Sequence, residues 1–281
     1  MSNLQQFDTV KLIIAALHLP PFLPSGHPSA KSLDEILDYA LRNTSYAVKA
    51  GIPALYIQDM GDYPWAPAVQ PHTIAMLSVV GAAIRKEFPD LYLGVCLMSH
   101  GGREPLAIAQ AIGAQFVRLK VYIGAMVKSE GIVEGCAYEA ITYRAQVRAE
   151  EIAILADVYD RSGEALGRLP LIEAANYAAV FGRADGLILT GHSFSESQDM
   201  LDEVRAAHLG VPLLLGGSAT PENVAQALEH ADGAIVSTAL KPVGEWSHAG
   251  LASDWDPARC QALMVAVEKS PHPTLSQRER E

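Results

Sequence analysis

Short apolar runs alternate with longer amphipathic segments along nearly the whole chain. Eight runs read as strands: residues 11–17, 54–58, 91–97, 116–121, 152–157, 186–190, 211–215 and 234–237. Most are too continuously apolar to be wet on one face, the pattern of a parallel sheet covered on both sides. Between them, helical spacing is read over 33–50, 71–88, 105–112, 137–148, 171–181 and near 197–207, with a last helix at 259–269. Ser32 with Glu35 forms a capping box at the first helix. Thr220 as N-cap, Pro221 in the first helical position and Glu222 near the positive helix end predict another start after the seventh strand. Eight such units predict an α/β fold closed into a (β/α)8 barrel rather than an open doubly wound sheet.

The barrel is expected to be a single domain over residues 1–269. The segment 270–281 carries two prolines, many polar residues and almost no apolar surface, and reads as a disordered extension.

Composition narrows the partners. At 281 residues and 49% hydrophobic, the chain can bury one large core. Its net charge of −11 argues against nucleic acid and against an anionic membrane surface. An anionic ligand must therefore be held by local groups. The run 11–17 is too short to span a membrane, and no other stretch qualifies. Cys96, Cys136 and Cys260 are odd in number and follow no metal spacing. With no secretory leader in view, a reducing cytoplasm is expected. Association into a homo-oligomer is the expectation for such a barrel.

In a barrel, chemistry collects where strands end. The seventh and eighth strands end in small residues, Gly216-Gly217-Ser218 and Thr238, which bare backbone N–H groups to an approaching anion. This pair of turns predicts a phosphate cradle. The first strand ends at His18, a candidate base. Asp59 and Asp62 follow the second; Asp62 is a candidate acid–base group, or the centre of an Asx turn. His100 and Arg103 lie in a glycine-rich loop after the third. Arg118 and Lys120 share one face of the fourth strand, and burying cations there demands a partner, for which Asp157 on the next strand is placed. The segment 124–135 is long for a βα connection and reads as a lid, with Glu130 and Glu134 as candidate acids. Thr190, His192 and Lys241 complete the candidates, each equally readable as a cap, turn or rim residue. No Gly-x-Gly-x-x-Gly unit, Walker A sequence, Gly-x-Ser-x-Gly elbow or metal spacing stands out, so the sequence names no cofactor and leaves the question open.

Taken together, 17–21, 61–64, 124–135, 156–158, 189–191 and 238–241 resemble the BtpA/SgcQ family, in family order over roughly residues 10–265. The resemblance implies a TIM barrel akin to the ribulose-phosphate-binding barrels, without implying a reaction. The chain departs from the family pattern in the mouth. Gln58 replaces a glutamate after the second strand, 96–101 lacks an arginine and an aspartate after the third, and Asp157-Val-Tyr-Asp-Arg-Ser162 replaces Asp-Val-His-Val-Lys-His after the fifth.

The expectation is an enzyme acting on a phosphorylated sugar or nucleotide-like small molecule. Gly216, Gly217, Ser218 and Thr238 hold phosphate. Asp157, Asp62, His18, Lys241 and Glu134 serve catalysis, and Arg118, Lys120, Thr190, His192 and His100 contact substrate. Isomerisation, aldol-type or C–N lyase chemistry and hydrolysis all remain open. A non-catalytic binding or assembly role, motivated by the altered mouth, is the alternative. Metal-dependent hydrolysis through His18, Asp157 and His192 is a third reading.

Overall fold

The computed structural model describes residues 11–242, 250 and 253–270. Its barrel strands, in chain order, are β1 (Leu12–His18), β2 (Ala54–Gln58), β3 (Tyr92–Cys96), β4 (Phe116–Leu119), β7 (Ala153–Asp157), β9 (Gly186–Leu189), β10 (Leu213–Leu215) and β11 (Gly233–Val236). They close in that order, every neighbour parallel, with β11 returning to β1 through Leu12 opposite Gly233. The eight-unit expectation is met.

Closure divides each strand's side chains into two sets, because successive residues point to opposite faces. Leu12, Ile14, Ala16, Tyr56, Tyr92, Phe116, Leu155 and Ile188 pack together inside the barrel. Ile13, Ala15, Leu17, Leu55, Val117 and Ile154 point outward and pack with the helices. Both sets are buried, so the strands lack polar alternation.

The helices α1 (Leu33–Lys49), α2 (Pro71–Glu87), α3 (Glu104–Ile112), α4 (Ala137–Gln146), α5 (Leu171–Asn176), α6 (Phe194–Arg205), α7 (Val224–His230) and α8 (Pro257–Glu268) cover this surface. The predicted capping box is present: Glu35 N–H donates to Ser32 Oγ, and Ser32 N–H donates to Glu35 Oε2 at 2.9 Å. A π turn, Tyr177–Phe181, extends α5. Two helix starts differ from expectation. Ser193 caps α6, accepting Glu196 N–H at 3.1 Å. At α7, Thr220 opens a hydrogen-bonded turn: Asn223 and Val224 donate to its carbonyl, and regular helix begins only at Val224.

A larger correction concerns 124–135. It is a β-hairpin of β5 (Ala125–Lys128) and β6 (Gly131–Glu134). A third strand, β8 (Glu164–Leu166), pairs with β5 and comes from the connection after β7. The small sheet β6-β5-β8 therefore ties together the connections following two neighbouring barrel strands. Of the expected extension at 270–281, Ser270 is buried and donates its amide to Val267 O; the remainder lies outside the described residues. No helix among the described residues is long and apolar enough to cross a membrane.

Candidate functional site

The ends of β1, β2, β4, β7, β9, β10 and β11 surround a cavity of about 580 Å³. Its floor is a fixed ion pair. Arg118 donates Nε to Asp157 Oδ2 at 3.0 Å and Nη2 to Asp157 Oδ1 at 2.9 Å. Its Nη1 donates to Tyr56 Oη at 2.8 Å. Such a bidentate fork fixes both side chains. Burial raises the Asp157 carboxyl above its ordinary value against the pull of Arg118.

A second charged group stands on the wall. Lys120 Nζ lies 3.4 Å from Asp160 Oδ2, and Lys128 Nζ reaches the same oxygen at 2.9 Å from the tip of the β5–β6 hairpin. Burial opposes ionisation of Asp160, but the two ammonium groups and Ser162 outweigh it and hold the carboxyl well below the usual range. Asp160 also accepts the Ser162 amide at 3.0 Å and its hydroxyl at 2.6 Å.

His18 is buried at the end of β1. Desolvation, reinforced by the charges of Lys241, Arg118 and Lys120, lowers its pKa to about 3. Its imidazole is therefore neutral at physiological pH.

On the opposite side, β10 runs into Gly216–Thr220. A Cβ at Gly216 would overlap Thr190 Oγ1 and stand 2.6 Å from Ile188 Cγ2. The strand end therefore needs glycine to pass Thr190. Ser218 adopts left-handed backbone, with φ at 66°. Among the described residues, the amides of Gly217, Ser218 and Ala219 donate no hydrogen bond. Ser237 and Thr238 face the same space from the end of β11. This is a concave set of free donors, the geometry that receives an anion.

The cavity gathers His18, Arg118, Lys120, Asp157, Thr190, Gly216, Gly217, Ser218 and Thr238 from the predicted residues. The others lie elsewhere. Asp62 is turned away: it accepts the Phe22 amide at 2.9 Å and lies 3.5 Å from His72 Nε2, tying the connection after β1 to that after β2. Lys241 is fully buried outside the lining, and burial lowers its pKa to about 8. His100 lines a small adjoining pocket with Lys128 and Glu130, which shares Met98, Arg118 and Lys120 with the main cavity. Glu134 is exposed on β6, opposite Ala125. His192 is exposed, its amide donating to Glu196. Arg103 pairs with Glu139 at 3.0 Å. His18, Asp157 and His192 do not converge: Arg118 occupies both Asp157 oxygens, and His192 is outside the cavity. No His/Cys/Asp/Glu cluster among the described residues has the arrangement of a metal site.

Tyr56, Gln58, Trp65, Asp160, Arg161 and Ser162 also line the cavity; the sequence marked Gln58 and 160–162 as altered mouth positions but gave none of the six a role. Tyr56 and Gln58 carried a usable signal, the same two-residue spacing that placed Arg118 and Lys120 on one face. Asp160 to Ser162 follow the strand in a turn, where strand period gives no direction.

Comparison with known proteins decides the family. Residues 9–269 match the BtpA family. The chain belongs to the BtpA family. It is 27% identical over 270 residues to the BtpA-family photosystem I biogenesis protein BtpA of Synechocystis sp., covering 95% of this chain and 91% of that one. To an uncharacterised protein of Pyrococcus horikoshii it is 32% identical over 241 residues, covering 85% and 90%. Among solved structures, this BtpA-family fold is similar to the 2-keto-3-deoxy-6-phosphogluconate aldolase of Zymomonas mobilis, with a TM-score of 0.57, 12% identity and coverage of 97% and 98%. It is also similar to the 3-keto-L-gulonate-6-phosphate decarboxylase of Vibrio cholerae, with a TM-score of 0.56, 14% identity and coverage of 92% and 98%. At such identities these two likenesses establish the TIM barrel.

Proposed function

We propose that the chain is an enzyme acting on a phosphorylated sugar or nucleotide-like small molecule, bound across the mouth of the barrel. One observation carries the reading. The free amides of Gly217, Ser218 and Ala219 and the turn at Thr238 share a cavity with His18, Lys120 and the Arg118–Asp157 pair. An anchor for phosphate thus stands opposite groups suited to chemistry. The phosphate-bearing compounds named for the aldolase and the decarboxylase support the anchor.

At the reacting end, a neutral imidazole and the Lys120 ammonium are hydrogen-bond donors in a partly desolvated space. Donors of that kind stabilise negative charge developing on a substrate oxygen. Asp157, clamped by Arg118, holds the guanidinium in place and adds a fixed negative charge. The set suits isomerisation or aldol-type chemistry, in which an oxyanion develops beside a carbon losing a proton or a neighbour.

Thermal melting with millimolar inorganic phosphate and sugar phosphates tests the anchor. A ligand that favours the native state must raise the melting temperature; no shift with any of them overturns the phosphate reading.

A non-catalytic binding or assembly role is favoured by a different observation. A groove of about 510 Å³ between α4 and the end of α5 is lined largely by apolar side chains, with Tyr138 and Phe181 mostly exposed. His18→Asn, which leaves no buried charge unpaired, separates the readings. An enzyme loses turnover with its fold intact, whereas an assembly factor keeps its partner.

A further inference from the structure

The charges around the cavity are matched except at one place. Arg118 is answered by Asp157, and Lys120 with Lys128 is answered by Asp160 and Glu130. Lys241, behind His18 and outside the lining, feels Asp254. Arg161 alone among the lining charges forms no ion pair with any described residue.

Its position is specific. A Cβ built on Gly217 would stand 3.4 Å from Arg161 Nη2 and 3.7 Å from its Cζ. The guanidinium therefore lies directly against the turn with the free amides. The chain does not leave it there by chance: Asp160 binds the Ser162 amide and hydroxyl, and Lys128 binds Asp160. Gly163 packs so closely on the hairpin that a Cβ there would meet Val127 O at 2.5 Å. Arg161 thus projects from a turn fastened on both sides.

The rest of the cavity offers polar groups without net charge. Thr190 Oγ1 and Trp65 Nε1 are buried and without a hydrogen-bond partner among the described residues. Thr190 is 7% exposed, and both residues line the cavity. Buried donors of this kind are satisfied by a ligand hydroxyl or carbonyl. The indole also supplies an apolar face for a sugar ring.

We infer that the site takes a phosphate monoester whose remainder is uncharged and rich in hydroxyl groups, with Arg161 as the charge partner of the phosphate and Thr190 and Trp65 as contacts to the neutral body. This rests on the phosphate reading above and narrows it. A second phosphate or a carboxylate on the ligand has no uncompensated cation to meet, and leaving it unpaired in a partly buried site is costly.

Calorimetric titration of the full chain with ribose 5-phosphate, 6-phosphogluconate and ribulose 1,5-bisphosphate, beside inorganic phosphate, tests it. Ribose 5-phosphate is expected to bind at least about tenfold more tightly than the other two sugar derivatives. Arg161→Gln is expected to weaken ribose 5-phosphate about tenfold or more, the scale of a lost charge-assisted hydrogen bond, with Arg161→Lys intermediate. Arg161 is exposed, so an unchanged melting temperature of the ligand-free variant checks that the fold is intact. Equal or tighter binding of the carboxylate or bisphosphate compound overturns the neutral-body inference. Undiminished binding by Arg161→Gln overturns the role of Arg161 while the phosphate reading stands. Failure of the wild-type chain to bind phosphate or ribose 5-phosphate removes the phosphate reading and this inference with it.

Discussion

Arg118 and Asp157 face each other across β4 and β7 with two near-parallel hydrogen bonds, at 3.0 and 2.9 Å, on a barrel floor where the carboxylate is almost wholly buried. Two charges in such a place hold one another. The carboxylate has almost no access to water.

Removing one of them therefore costs more than the pair contributes. Arg118→Met is expected to destabilise the chain by about 3–5 kcal/mol, because Asp157 is left charged and buried. The double variant Arg118→Met/Asp157→Leu is expected to recover most of that loss. Urea unfolding of both variants checks the relationship.

The passage of β10 beside Thr190 is a second sensitive contact. Gly216→Ala forces a methyl group against Thr190 Oγ1 and Ile188, and overpacking of this kind costs about 1–3 kcal/mol. Adding Thr190→Ala removes the clashing oxygen and is expected to restore part of the stability. A double-mutant cycle by thermal or urea unfolding reads the coupling.

His18 gives a pH signature. Its pKa is lowered to about 3 by burial and the neighbouring cations, whereas in the unfolded chain it titrates near 6.5. Between those values the unfolded state binds the extra proton, so stability falls as pH drops through this window. His18→Asn is expected to flatten that slope. In the native wild-type chain, the His18 imidazole resonances are expected to stay fixed from pH 8 to 5; a midpoint near 6.5 contradicts the assignment.

Asp59 has the opposite sign. It accepts the Met98 amide at 2.7 Å, and burial raises its pKa to about 7. Here the folded state binds the extra proton between the ordinary aspartate value, about 3.9, and about 7. Stability from this group is fully present below that window and is lost as pH rises through it. Asp59→Asn keeps an oxygen acceptor for Met98 and removes the charge. It is expected to stabilise the chain at pH 8 by an amount on the order of a few kcal/mol, and by less at pH 5. Chemical denaturation at the two pH values measures the difference.

The barrel was readable because closure leaves a long-range signature in local sequence: apolar strands wet on neither face, separated by amphipathic helices. The shared face of Arg118 and Lys120, and the choice of Asp157 as a partner, followed from strand period and neighbour order. The hairpin was not readable, because β5 and β6 are four residues each, carry Lys128 and Glu134, and are joined by a turn with Glu130. The pairing of β5 with β8 joins distant positions such as Val127 with Glu164 and Ala125 with Leu166, a contact no local pattern encodes. The sequence left Asp62 open between two roles, because an Asp after a strand looks the same whether it faces a cavity or holds the amide of Phe22. The burial of Lys241 was hidden for a related reason: position at a strand end does not reveal that the side chain turns into the interior.

The sheet joining β5, β6 and β8 gives two separate stretches of sequence one mechanical fate. Transplanting either stretch alone into a relative, or shortening one to reshape the mouth, leaves unpaired strand edges and separates Lys128 from Asp160. Redesign of this wall must treat both stretches as a single exchangeable part.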